Sequence, residues 1–254
     1  MSFKIQYASD LHIEFPENGK FLKLHQLQPV GEVLVLAGDI VPFAVMNKHR
    51  DFFSYLSDHF EITCWLPGNH EYYHSDITER SGSLNEKIRS NVFLVNNTSM
   101  VHRGMRLIFS TMWSKISPAY QWQIERNLND FRLIRYNGYR FSAEAYNQLH
   151  EESLTFIQRE LNNMKEENAA VFTHHVPTFL NYPEQYKGDV LSEAFAVELF
   201  DLIESSGIDY WVHGHHHTNT PEFTIGSTRV VTNQLGYVQR DEHRQFETDK
   251  CIEF

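Results

Sequence analysis

At 254 residues the chain is long enough for one large α/β core or two small ones, and its 41% hydrophobic and 14% aromatic content can fill that core without disulfides. A formal net charge of -11 works against adhesion to nucleic acid, which relies on clustered Lys and Arg, so a nucleic-acid partner is disfavoured while an anionic substrate is not. Cys64 and Cys251 suggest no disulfide framework, no apolar stretch approaches the roughly 20 residues of a membrane helix, and the first residues read as a strand rather than a leader; the expected setting is a reducing cytoplasm.

Taken in chain order, the pattern predicts strands at 3 to 8 and 33 to 37, a helix at 46 to 58, a strand at 61 to 66 and a helix at 76 to 89. Short apolar strands recur at 92 to 95, 106 to 110, 169 to 173 and 209 to 213, with helices at 142 to 163 and 189 to 205. This is the βαβ rhythm of an α/β protein, and the continuous apolar runs predict strands buried on both faces. Residues 222 to 233 read instead as a hairpin around Gly226-Ser227, with the C-terminus closing a sheet edge. No repeat, low-complexity tract or linker divides the chain, so residues 1 to 254 are expected as one domain. The aromatic and arginine-rich stretch 111 to 140 stands out as a cap insertion.

Metal-ligand side chains recur immediately after successive predicted strands: Asp10-Leu11-His12, Gly38-Asp39, Gly68-Asn69-His70-Glu71, His174-His175 and His213-Gly214-His215-His216-His217. Strand ends are where an open α/β sheet presents its crevice. Two divalent cations a few ångström apart repel, and a carboxylate shared between them offsets that repulsion; Asp39 is the choice for that bridge. Neutral imidazoles and the Asn69 amide add donors without adding charge. With no thiolate in the set, Mn, Fe or Zn is expected as the divalent pair. Glu71 is read as a turn cap, and His175, His213 and His216 as neighbours that orient the donors.

The order D-x-H, GD, GNHE, strand-end His and G-H-x-H resembles the calcineurin-like metallophosphoesterase superfamily over residues 10 to 217. That resemblance implies an α/β/β/α sandwich of two stacked mixed sheets flanked by helices. It also implies that Asp10, His12, Asp39 and His217 hold one ion, and that Asp39, Asn69, His174 and His215 hold the other. His174 is preferred to His175 on the His-x-x-Pro pattern, and His70 would face the phosphate as charge stabiliser or proton donor. The implied reaction is in-line attack of a metal-bridging hydroxide on phosphorus. The stretch Asn129-Asp130-Phe131-Arg132 is similar to an element of a bacterial branch of the superfamily, which puts Asn129, Arg132 and Arg135 forward as substrate contacts.

The metal core serves monoesters, diesters and nucleic acids alike; the net charge of -11 and the absence of a long basic stripe work against a nuclease, and a small phosphodiester is placed first, ahead of a monoesterase. Some members of the superfamily keep the fold as a non-catalytic interaction scaffold, but they are expected to have lost donors that this chain retains.

Overall fold

The computed structural model describes residues 3–254. The chain opens with β1 (Lys4–Ala8), passes through α1 (Pro16–Leu24) to β2 (Val33–Ala37), and through α2 (Arg50–His59) to β3 (Ile62–Leu66). After β4 (Leu84–Lys87) and β5 (Val92–Asn96) it crosses to a second sheet with β6 (Thr98–His102) and β7 (Met105–Ser110). The stretch that follows holds α3 (Gln121–Asn127), α4 (Asp130–Leu133) and the small hairpin β8 (Arg135–Tyr136) and β9 (Tyr139–Arg140). The long α5 (Ala143–Asn162) then leads to β10 (Asn168–Thr173), α6 (Phe200–Ser206), β11 (Tyr210–His213), β12 (Phe223–Ile225) and β13 (Thr228–Thr232). Finally β14 (Cys251–Glu253) returns to pair antiparallel with β1, the edge closure expected of the C-terminus.

The strands form two six-stranded sheets, ordered β14-β1-β2-β3-β5-β4 and β12-β13-β11-β10-β7-β6. Each has a parallel centre and antiparallel edges, so both are mixed. Period-two side-chain alternation sorts the apolar strands between layers. Val33, Val35 and Ala37 of β2 face Leu107, Phe109, Ala170, Phe172 and Val212 between the sheets, while Leu34 and Leu36 join the helix-side core with Phe53 and Leu56 of α2. The opposite face of the second sheet buries Ile108, Val171 and Trp211 against Phe156 and Ile157 of α5 and Ile203 of α6. The result is the α/β/β/α sandwich.

Local chemistry sets the helix ends. Pro16 opens α1, where its missing N–H costs nothing; Ser142 caps α5 by accepting from Ala145 N at 3.2 Å; Gly207, at φ +65°, ends α6 in the left-handed conformation. In α5, Tyr146, Leu149, His150, Ser153, Phe156 and Ile157 make the buried stripe at helical spacing.

Two predicted helices differ. Over 76 to 89 the start signal is real, because Asp76 accepts from Thr78 N, but only the 3-10 turn Ile77–Glu79 forms. Ser81-Gly82-Ser83 breaks it, with Gly82 at φ +72°, and Leu84–Lys87 pairs with β5 instead. The spacing of Ile77, Leu84 and Ile88 imitates a helical stripe, yet those side chains reach the same core from a turn and a strand. Over 189 to 205 the chain forms a 3-10 turn, Val190–Ala194, then α6 from Phe200. Between them Val197 N donates to Val176 O at 3.0 Å, which interrupts any continuous helix.

Candidate metal centre

The carboxyl ends of β1, β2, β3, β10 and β11 converge, and loop-to-loop backbone bonds hold them together. Asp10 N donates to Gly38 O at 2.9 Å, His12 N to Asp39 O at 2.9 Å and Gly214 N to His174 O at 3.0 Å. Past β13, Leu235 N and Gly236 N reach Ser9 O and Asp10 O, both at 3.1 Å, and join the two sheets at this end. Asp10, His12, Asp39, His215 and His217 all have positive φ. For residues other than glycine that conformation costs of order 1 to 3 kcal/mol each. Such strain clustered at one point marks a functional site.

The predicted donors meet there. Atoms of Asp10, His12, Asp39 and His217 lie within 4.8 Å of one another, and so do atoms of Asp39, His174 and His215. Asp39 belongs to both groups: its Oδ2 faces His12 Nε2 at 3.7 Å and its Oδ1 faces His174 Nε2 at 3.4 Å. Asn69 Oδ1 stands 3.3 Å from His174 Nε2, on the second group's side. His174 rather than His175 points into the cluster; the His175 ring packs at 5.1 Å from Trp113. His213 and His216 pack edge to face at 5.4 Å, and Gln234 Nε2 meets His216 Nδ1 at 3.0 Å.

Close approach at glycines makes room for this cluster. A Cβ at Gly38 would stand 2.3 Å from His174 Nδ1, and one at Gly68 would stand 2.2 Å from Asp39 Oδ1. Those positions admit no side chain.

The donor chemistry fits cations. His174 Nδ1 bonds Ala37 O at 2.9 Å, His215 Nε2 bonds Ala194 O at 3.3 Å, His217 Nδ1 bonds Glu242 Oε2 at 2.8 Å, and His12 Nδ1 meets Glu14 Oε1 at 3.4 Å. Each outer nitrogen therefore carries the proton, and each inner nitrogen presents a lone pair. Those inner nitrogens face each other in pairs, His12 Nε2 to His217 Nε2 at 3.1 Å and His174 Nε2 to His215 Nδ1 at 3.0 Å. Two lone pairs so placed repel unless a cation or a proton lies with them. In the metal-free protein protons take that place: burial opposes charge on His217 and His174, but Asp10 with Glu242 lifts the first to about 10, and Asp39 lifts the second to about 9. Burial likewise works to raise the Asp10 and Asp39 carboxyls, and the histidines beside them outweigh it and lower both.

Further carboxylates support these donors from behind. Glu71 accepts N–H groups on both oxygens, from Ile40 at 2.7 Å and Trp65 Nε1 at 3.0 Å on one, and from Gly68 at 2.7 Å and Asp39 at 2.9 Å on the other. Burial and nearby Asp39 push its carboxyl up to about 8, while these donors favour the ionised form. This is the expected turn cap, made between two loops rather than within one. Glu14, Asp130 and Glu242 were not foreseen as supports: Glu14 Oε1 lies 3.7 Å from His70 Nδ1, and Asp130 Oδ1 accepts from Asn69 Nδ2 at 2.9 Å.

A cavity of about 330 Å³ opens above the donors. His70, stacked on Tyr73 with ring centroids 4.1 Å apart, stands at its edge. Asn129 lines it, but Arg132 and Arg135 do not. Both are exposed; the Arg132 guanidinium donates to Arg126 O, and Phe131 and Ile134 take the inward positions of that stretch. Among the described residues, Arg240 is the single Lys or Arg side chain in the lining.

The chain matches the family described as calcineurin-like phosphoesterase over residues 3–219. It is 30% identical over 260 residues to an uncharacterized protein of Acanthamoeba polyphaga mimivirus, covering 92% of this chain and 91% of that one. Its fold is similar to that of phosphopantetheinyl hydrolase from Mycobacterium tuberculosis, with TM-score 0.72 and 16% identity over 100% of this chain and 96% of the other. A dimetal phosphatase from Danio rerio is similar at TM-score 0.50 and 15% identity, over 91% of this chain and 87% of the other. The chain belongs to the calcineurin-like phosphoesterase family and is a metal-dependent phosphoesterase.

Proposed function

We propose that the protein hydrolyses a small phosphodiester by in-line attack of water on phosphorus. The observation that carries this choice is the cavity lining. Apart from its histidines, Arg240 is the one basic side chain among the described residues of that lining, set against the carboxylates Asp130, Asp189 and Glu242, with Tyr73, Tyr182, Tyr186, Phe195 and Tyr237 on the walls. A dianionic monoester asks for cations beyond the metals, whereas a diester carries one negative charge fewer and a second substituent that aromatic walls can accept. On this reading Asp10, His12, Asp39 and His217 hold one divalent ion, and Asp39, Asn69, His174 and His215 hold the other. Bound there, a divalent pair supplies Lewis-acid activation of water at neutral pH and neutralises phosphoryl charge. The nitrogen and oxygen donors suit Mn, Fe or Zn.

The chain's own part is to place substrate and move a proton. His70 is the proton donor to the leaving oxygen. Burial acts to lower its pKa, and Asp39 and Glu14 outweigh burial and raise it, which favours the protonated ring. Glu14 keeps that support when cations neutralise Asp39. Asn129 meets the substrate at the cavity wall. Arg132 and Arg135 reach it only if the 111 to 140 cap of this one-domain protein closes further. The Asn-Asp-Phe-Arg stretch supports a bacterial-branch reading, and the unpaired thiols of Cys64 and Cys251 support a cytoplasmic one.

The test is metal-free protein reloaded with Mn, Fe, Zn or Mg and assayed on nitrophenyl phosphate and bis-nitrophenyl phosphate. A higher kcat/KM on the diester supports the proposal. A preference for the monoester with every metal rejects it.

A further inference from the structure

An asparagine can turn either end of its amide toward a metal, and only the oxygen can coordinate. Asn69 has this ambiguity, and the partner of its nitrogen removes it. Asp130 Oδ1 accepts Asn69 Nδ2 at 2.9 Å and the Tyr73 hydroxyl at 2.7 Å. With Nδ2 so engaged, Asn69 Oδ1 is left on the side of His174 Nε2, 3.3 Å away.

Asp130 is only 4% exposed, and its carboxylate is held by neutral donors alone. Burying a carboxylate whose hydrogen bonds come only from neutral groups is costly. The site therefore keeps an expensive group for its acceptor oxygen. It comes from the start of α4, sixty-one positions after Asn69, inside the stretch 111 to 140.

We propose that Asp130 is a positioning residue, which orients the Asn69 amide so that its oxygen faces the metal centre. The stretch 111 to 140 is then part of the metal centre as well as a wall of the substrate cavity. This rests on the reading of Asn69 as a metal donor. Both donors converge on one oxygen of Asp130, so an amide oxygen at that position can replace it.

The test is calorimetric titration of the metal-free full chain with Mn²⁺, on wild type, Asn69→Ala, Asp130→Ala and Asp130→Asn, with thermal melts to verify folding. Wild type binds two ions. Asp130→Ala weakens one of the two by about 10- to 100-fold and leaves the other unchanged, as expected when an outer partner of a ligand is lost; Asn69→Ala, which removes the donor itself, weakens the same ion at least as much. Asp130→Asn binds both as wild type does. If Asn69→Ala binds both ions normally, the underlying reading of Asn69 fails. If Asn69→Ala weakens one ion and Asp130→Ala does not, the positioning role is overturned. Weak binding by Asp130→Asn also overturns it, because charge rather than orientation would then matter. Asp130→Leu, close in volume, replaces the alanine variant should that one not fold.

Discussion

His217 donates its Nδ1–H to Glu242 Oε2 across 2.8 Å, and the same oxygen accepts Tyr237 N at 2.7 Å. The bond holds the imidazole in the tautomer whose Nε2 faces Asp10 Oδ1 at 3.4 Å. Glu242 lies beyond the residues 3–219 that match the family, so the C-terminal segment supplies a support the shared motifs lack. Glu242→Ala is expected to weaken one of two bound ions by about 10- to 100-fold in calorimetric titration, since a carboxylate behind a ligating imidazole sets both its orientation and its basicity.

Protons and metal compete for the inner nitrogens. His217 and His174, raised to about 10 and about 9, each hold a proton in the metal-free protein at pH 8, and ligation needs both neutral. Loading therefore releases about two protons per chain from these imidazoles at that pH, besides any from water acidified by the ions, and apparent metal affinity rises with pH until both have titrated. Binding enthalpies in buffers of different ionisation heat count the protons. Zero release at pH 8 would contradict the pairing of these imidazoles with Asp10, Glu242 and Asp39.

His70 lies outside the two groups that share Asp39, clusters instead with His12 and Glu14, and lines the cavity. His70→Ala should keep both ions and lower kcat by about 100-fold or more on a diester with an alkoxide leaving group, the range a positioned proton donor contributes. The loss should be smaller with nitrophenolate, which leaves without a proton. Metal analysis and the leaving-group comparison check the two halves separately.

A methyl group at Gly68 would stand 2.2 Å from Asp39 Oδ1 and 2.6 Å from His174 Nε2. Gly68→Ala is expected to lose most of its bound metal, and the forced shift should destabilise the fold by about 1 to 3 kcal/mol. Metal content after gel filtration and a thermal melt measure both. Full metal loading would mean that Asp39 and His174 can retreat from the close approach seen here.

The donors were legible because each sits within a few residues of an apolar strand whose direction the pattern already implies: Asp10 and His12 after β1, Asp39 after β2, Asn69 after β3. Both helix faces and both sheet faces could likewise be anticipated from runs such as Val33–Ala37. What could not be read is what depends on folding across distance. Glu242 and Asp130 have no local signature, since each acts on a residue from another loop. The arginines of the cap look like an anion cradle by composition, but Phe131 and Ile134 claim the buried side and turn Arg132 and Arg135 outward. Leu84–Lys87 forms no helix because pairing with β5 outweighs the helix preference of Leu84, Glu86 and Lys87.

Asp39 serving two cations at once is the relation on which the rest of the site depends. Crystals of the protein soaked in Mn²⁺ and measured at the manganese edge should show two anomalous peaks per chain, roughly 3.5 to 4 Å apart, one on each Asp39 carboxylate oxygen. A single peak, or two peaks of which either lies beyond bonding reach of Asp39, would contradict it.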